Sequence, residues 1–283
     1  QIYRWVQRVN MNTKKTSGGF PLIISALAIL ICLFIGIFIF SLTLPVTKIA
    51  VQTFNPYFIA FARAVLAGVL AAIYLFSIKA KLPGLSELRQ FVIVAIGVVF
   101  IFPLFINLAM TEGEASHAGV ILGIMPLATV VAGVLLFRER PSLGFWVSAL
   151  IGCTLVVTYA FMNSRGGIQY TDYLLLIACL ANGISYAVGG NLSRTMNAKE
   201  VISWSLVIAL PINALFSILT FESNYLQADL IAWSSFLYLS IFSMFIGFWL
   251  LFRGFNMISV SFKIKKIGDA NWGWILFFGI MVV

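Results

Sequence analysis

The chain has 283 residues, of which 61% are hydrophobic and 10% are charged, and its mean hydropathy is +1.05. This composition excludes a water-soluble globular protein. The formal net charge of +9 is large for so few charged residues, so the distribution of the charges matters for its interpretation.

Apolar runs long enough to cross a hydrocarbon core of roughly 30 Å as helices recur along the whole sequence. They predict eight transmembrane helices, at about residues 22–50, 57–77, 90–110, 117–137, 144–162, 173–191, 201–220 and 233–252. A last apolar run, "WGWILFFGIMVV", has 12 residues and is too short to cross alone. We therefore predict an all-α polytopic membrane protein with eight clear spans and a short C-terminal apolar segment.

The loops between the spans alternate in charge. One set is basic and holds Lys14, Lys15, Lys79, Lys81, Arg89, Arg138, Arg140, Arg194, Lys199, Arg253, Lys263, Lys265 and Lys266. The other set holds Glu112, Glu114, Asp172, Glu222 and Asp229 with one cation, Arg165. The positive-inside rule then predicts a multi-pass protein with a cytoplasmic N-terminus. Topology explains the net charge without a nucleic acid partner, and contact with anionic lipid is the alternative.

The order of the spans predicts two inverted repeats of five helices, because an odd number of spans makes the second unit enter from the opposite side. The first repeat covers residues 20–162, after a basic N-terminus at 1–19 whose first ten residues we do not count as native. An outward loop at 163–172 leads into a partial second repeat at 173–254, followed by an atypical segment at 255–283. We expect a truncation or frameshift after about residue 254, with a native shortened protein as the alternative.

Two stretches resemble a known family. They are "TLPVTKIAVQTFNPYFIAFARAVLAGVL" and "GIMPLATVVAGVLLFRERPSLGFWVSALIGCTLVV". With "YLLLIACLANGISYAVGGNLSR" at the start of the second series, the chain from about Phe20 to Phe255 resembles the drug/metabolite transporter superfamily, in its ten-helix EamA-type branch. The resemblance implies a carrier of the bacterial inner membrane that exports or exchanges amino acids or related small metabolites by alternating access through a central cavity between the repeats. The second half lacks a counterpart of the segment from Pro126 to Glu139, so a non-transporting remnant or membrane scaffold is the alternative.

Two cations inside the apolar runs are the main candidates for a binding site. Ser41, Pro45, Lys48 and Gln52 are spaced to share one face of the first helix, and Arg63 lies at a similar depth in the second. An unpaired cation in a membrane span usually faces water, a partner or a substrate. Lys48 and Arg63 could therefore bind a carboxylate, or they could snorkel to the surface or contact backbone carbonyls.

Other polar residues of the spans are weaker candidates. Asn182 and Tyr186 share a face of the sixth helix and could line a cavity or pack between helices. The full set of predicted substrate-binding residues is Lys48, Arg63, Ser41, Asn107, Asn182, Tyr186 and Trp249. Gly119 and Gly123 form a GxxxG pattern, which predicts close helix packing, with a homodimer contact as the alternative.

The positions of the acidic residues argue against ion coupling and catalysis. All nine acidic residues fall in loops or at span ends, so we expect no proton or sodium coupling through a buried carboxylate. The one histidine, His117, lies at the outer end of a span. With no nucleophile–base pair, metal-ligand spacing or nucleotide-binding loop, we predict no enzyme activity, metal or cofactor. The expected partners are a small solute and the lipid bilayer.

Overall fold

The computed structural model describes residues 31, 34–139, 141, 143–163, 169–193 and 195–250. The predicted basic N-terminus, the start of the first span and the segment at 255–283 lie outside the described residues. The predicted boundaries of the two repeats are therefore not all covered by the structure.

The described chain folds as a series of apolar helices. They are α1 (Phe34–Ala50), α2 (Pro56–Ser77), α3 (Leu85–Glu112), α4 (Ala115–Phe137), α5 (Leu143–Asn163), α6 (Tyr170–Leu192), α7 (Ala198–Leu219) and α8 (Leu230–Leu250). Within these residues, six helices are long and apolar enough to cross a membrane, and α1 and part of α5 are shorter apolar helices. The protein is an all-α polytopic membrane protein, and the helices fall where the hydropathy of the sequence predicts spans.

Polar side chains next to the helix starts determine where the helices begin. Asn55 caps α2 by accepting from the backbone N–H of Tyr57, and Asp229 caps α8 by accepting from that of Ala232 at 2.8 Å. Glu87 accepts from the backbone N–H of Gly84, so α3 begins at Leu85, earlier than the predicted 90. A hydropathy window misses this first turn because capping residues are polar.

The contacts between the helices follow a two-fold pattern. The central pair is α2 and α7. Helix α2 also packs on α8, and α7 packs on α3. In the same way α3 packs on α6, and α8 packs on α1. Exchanging α1, α2 and α3 with α6, α7 and α8 maps the central pair onto itself and each of the other pairs onto another of them. This is the pattern expected of an inverted repeat.

Two helices contain a π-helical segment at corresponding places. In α3 it covers Ala95–Ile101, and in α8 it covers Tyr238–Gly247. The two helices begin at Leu85 and Leu230, a shift of 145 residues, and the same shift moves 95–101 onto 240–246, inside the second segment. π-helical turns are uncommon and often lie at functional sites, and hydropathy does not distinguish them from α-helical turns.

Close helix approach occurs at other glycines than the predicted GxxxG pair. An added Cβ at Gly183 of α6 would lie 2.8 Å from the Cβ of Ala128, and the backbone nitrogen of Thr129 is at 2.9 Å. Gly119 is exposed, and the nearest atom to an added Cβ there is a methyl group of Leu44 at 3.6 Å. The packing prediction for Gly119 is therefore wrong within the described chain, because its helix face meets no neighbouring backbone.

The acidic end of the bundle, where the loops carry Glu112, Glu114, Asp172, Glu222 and Asp229, contains a cluster of aromatic rings. Its members are Phe54, Phe58, Phe221, Tyr225, Trp233 and Phe236. The Phe54 ring centroid lies 5.1 Å from those of Tyr225 and Trp233, and the Tyr225 hydroxyl accepts from the backbone N–H of Asn55. Edge-on aromatic contacts of this kind stabilise packing beyond the burial of area. The acidic-end cluster thus joins the ends of α1, α2 and α8 and the loop before α8.

Candidate functional site

Arg63 is the most deeply buried cation in the described part of the chain. It lies seven residues into α2, about 10 Å from the acidic end at 1.5 Å per residue, and its side chain is 2% exposed. Its Nε and Nη1 atoms have no hydrogen-bond partner among the described residues. Burying a guanidinium without a partner costs several kcal/mol, about as much as breaking a buried ion pair costs. A group held at that cost is a candidate for binding an anion.

The third helix contacts the start of α2, two turns before Arg63. Pro56 and Arg63 are seven residues apart and share one face of α2, and the Asn107 amide of α3 donates to the Pro56 carbonyl at 3.0 Å. Asn107 is fully buried, and its Oδ1 has no donor within the described residues. Asn107 thus has an unpaired acceptor in the seam between α2 and α3, and Arg63, two turns along α2 from Pro56, has unpaired donor atoms. Both residues were predicted from the sequence.

Lys48 contacts the backbone at the end of α3. Its ammonium donates to the carbonyls of Met110 at 2.9 Å and Thr111 at 3.3 Å. The last carbonyls of a helix have no partner within the helix, and a cation near them also interacts favourably with the helix dipole. In this conformation Lys48 makes the carbonyl contact that was one of its two predicted roles, and it is half-buried.

The buried polar face of α1 differs from the face that carries Ser41. Ser41, Pro45 and Gln52 are exposed in the described bundle, and the Ser41 hydroxyl donates to the carbonyl of Phe38. Thr43 and Thr47 are buried instead. The Thr43 hydroxyl lies 2.9 Å from that of Ser243 on α8, while Thr47 Oγ1 has no partner among the described residues.

The predicted residues on α6 pack against α4. Asn182 is fully buried and its amide donates to the sulfur of Met125 at 3.2 Å, and Tyr186, one turn further, is buried too. Asn182 Oδ1 has no partner in the described chain. The Asn182 contact fits packing between helices, and the Tyr186 ring also packs on that of Phe248 of α8 at 6.1 Å.

Trp249 lies at the opposite, basic end of the bundle, where the loops carry Lys79, Lys81 and Lys199. The Lys199 ammonium sits 3.4 Å from the centroid of the Trp249 ring, and the Tyr74 ring packs edge-on at 5.6 Å. A cation over an indole face is attracted by the ring quadrupole. Trp249 therefore joins α2, α7 and α8 at the basic end and does not lie with Arg63.

Thr47 and Asn213 are among the buried polar residues that the sequence prediction missed. Thr47 lies one turn after Thr43, so an i, i+4 pair of threonines was the available signal. Asn213 lies within the apolar run of α7; its amide donates to the carbonyl of Ala209, and its Oδ1 has no partner in the described residues. An asparagine inside an apolar span is itself such a signal.

An ion pair at the acidic end joins α4 and α6. His117 Nε2 lies 2.9 Å from Asp172 Oδ1, and the other carboxylate oxygen accepts from the backbone N–H of Gln169. Among the described residues, no three His, Cys, Asp or Glu side chains come together as a metal site. The chemistry available around Arg63 is accordingly that of hydrogen bonding and charge recognition.

Comparison with known proteins agrees with this arrangement. The model of the EamA-like transporter family matches residues 27–160 and 169–264. The "Uncharacterized transporter YdeK" of Bacillus subtilis (strain 168) is 39% identical over 221 residues, which are 78% of this chain and 77% of that protein. A solved crystal structure of a protein, 16% identical, has a TM-score of 0.57 over 90% of this chain and 94% of that chain, which is a likeness of fold. The chain belongs to the EamA-like transporter family.

Proposed function

We propose that this membrane transporter is a carrier for amino acids or related small metabolites that bear a carboxylate. It exports or exchanges them across the bacterial inner membrane by alternating access, through a cavity between two inverted repeats. The observation that carries the proposal is Arg63, which is 2% exposed and keeps its Nε and Nη1 atoms unpaired. A guanidinium presents donors that match a carboxylate in two parallel hydrogen bonds.

The surroundings of Arg63 support a polar solute. Asn107 Oδ1 in the seam between α2 and α3 lacks a donor within the described chain, so it can accept from an amino or hydroxyl group of the solute. The acidic-end cluster lies between this seam and the acidic surface, and it includes Phe54 and Phe58 next to the start of α2. In the proposed cycle the cluster closes the acidic side, and its opening exposes Arg63 to that side.

The positions of the acids support a cycle without proton coupling. The buried carboxylate of Asp172 lies at the first turn of α6, where it pairs with His117. It is therefore near the surface and already engaged. We expect counterflow of the solute to be independent of an imposed pH gradient when the membrane voltage is clamped; flux that follows the gradient would contradict this part of the proposal.

The test is counterflow in proteoliposomes of a labelled panel of amino acids, small organic acids and neutral analogues. Arg63→Gln removes the charge, and Arg63→Lys keeps the charge without the planar donors. A hydrogen bond to a charged group contributes about 1.5–3 kcal/mol, so we expect Arg63→Gln to lower carboxylate flux about tenfold or more, and Arg63→Lys to retain part of it. Arg89→Gln is the matched control, because Arg89 is exposed at the basic end.

A stability measurement separates binding from a structural role. Arg63→Met removes a buried charge that has no acid partner in the described chain, so its thermal stability should equal or exceed that of the parent while its flux falls. A structural arginine would give the opposite result, a less stable protein. Carboxylate flux that is unchanged in Arg63→Gln, or absent for every solute in the parent protein, would refute the carrier proposal.

A further inference from the structure

A groove opens on the surface of the bundle between the basic ends of α2 and α7. It encloses about 420 Å³, and its walls are apolar: Ala72, Leu75 and Phe76 of α2, and Trp204 and Val207 of α7. Among the described residues that line the groove, Lys79 carries a charge. The groove begins at Ala72, nine residues after Arg63 on α2, so a ligand bound there is distinct from the solute proposed at Arg63.

The surface around the groove faces the lipid. The Phe76 side chain is 88% exposed and that of Ile73 is 61% exposed, in the last two turns of α2. Large apolar side chains exposed on a transmembrane helix contact acyl chains in a bilayer. A ligand that reaches the groove therefore comes from the membrane, and its buried part is apolar.

Lys79 occupies a backbone position that usually belongs to glycine. Its φ is 50°, and the helix ends in a hydrogen-bonded turn in which the N–H of Ala80 donates to the carbonyl of Leu75 and the N–H of Lys79 to that of Phe76. Glycine adopts this left-handed conformation without strain, whereas a lysine does not. The chain thus holds a cation at the mouth of the groove in spite of the backbone preference, which points to a use for the charge.

Two of the lysines at this end have no ion-pair partner among the described residues. Lys79 and Lys81 are both exposed, and neither forms an ion pair with a described residue. The positive-inside pattern assigns this end to the cytoplasm, and anionic lipids of the cytoplasmic leaflet attract basic residues near the membrane surface. We propose that the groove binds one phospholipid with an anionic headgroup, its acyl chain against Ala72 and Val207 and its phosphate on Lys79.

Native mass spectrometry of the full chain purified in detergent tests the proposal. The probes are dioleoylphosphatidylglycerol and dioleoylphosphatidylcholine, which share acyl chains and differ in headgroup charge. Each basic residue near a membrane surface contributes ~1 kcal/mol, so Lys79→Gly should lower the affinity for the anionic lipid about fivefold and leave the zwitterionic lipid unchanged. Arg138→Gly is the matched control, since Arg138 is a basic residue at a helix end with a φ of 55° and does not line the groove.

A second pair of variants tests the acyl-chain part without changing charge. Ala72→Phe fills the groove and should lower binding of both lipids, whereas Ile73→Phe, on the neighbouring exposed face of the same helix, should not. Equal binding of the two lipids by the parent protein, or an equal effect of Lys79→Gly and Arg138→Gly, would overturn the proposal. Binding that survives Ala72→Phe would likewise refute this groove as its location. None of these readouts depends on transport.

Discussion

Replacing Gly97 by alanine should destabilise the protein. Gly97 lies in the π-helical segment of α3 where it meets α6; an added Cβ would lie 2.5 Å from the carbonyl oxygen of Ala181 and would overlap the Ser185 hydroxyl. Overpacking of this kind costs about 1–3 kcal/mol, and a backbone carbonyl cannot move aside cheaply. If the serine turns away, its 3.0 Å hydrogen bond to the Ile93 carbonyl is lost at a cost of about 1 kcal/mol.

The opposing gain is small, because alanine in a helix is about 1 kcal/mol more favourable than glycine. The net loss is then about 1–3 kcal/mol, or roughly 2–12 °C in the midpoint of thermal unfolding measured in detergent by tryptophan fluorescence. Gly152→Ala is the control, since no atom lies within 4 Å of the Cβ built at Gly152. It should leave the midpoint unchanged or raise it. A midpoint for Gly97→Ala equal to that of the parent would refute the reasoning.

Two further changes concern the acidic end. Burial raises the pKa of the Tyr225 hydroxyl above its usual value. The stability that the neutral phenol contributes is therefore present below about pH 10 and is lost as the pH rises towards the raised pKa. Tyr225→Phe should remove this alkaline loss and lower stability at pH 7 by about 1 kcal/mol, because the backbone N–H of Asn55 loses its acceptor. Asp172→Ala should lower the free energy of unfolding by about 1 kcal/mol more than His117→Ala does. It removes the ion pair and also the cap, in which the Asp172 carboxylate accepts from the backbone N–H of Gln169. Equal losses for the last two variants would show that the cap contributes nothing.

The sequence predicted the helices well because the free energy of membrane insertion is a local sum over each segment. Each described helix overlaps a predicted span, and Arg63 and Asn107 were singled out as polar residues within apolar runs. The π-helical segments of α3 and α8 were not predicted, since an apolar run has the same hydropathy whether its turns are α or π. The backbone geometry there depends on which neighbouring helix packs against it.

Contacts between distant residues were also beyond the sequence. The choice between snorkelling, carbonyl contact and solute binding at Lys48 depended on the end of α3, which lies 62 residues away. The polar face assigned to α1 was judged from Ser41 and Lys48, although the buried hydroxyls are those of Thr43 and Thr47. Small threonines carry little hydropathy signal, so only the position of α8 distinguishes the two faces.

The two π-helical segments also bear on how the protein arose. A π turn closes its hydrogen bond one residue later than an α turn, so one inserted residue converts one into the other without shifting the flanking helix faces. The segments lie at matching places in α3 and α8, within two separate matches to one family model. The simplest explanation is a single insertion in an ancestral half-length chain before it was duplicated. On this history the π-helical turn is older than the two-repeat protein.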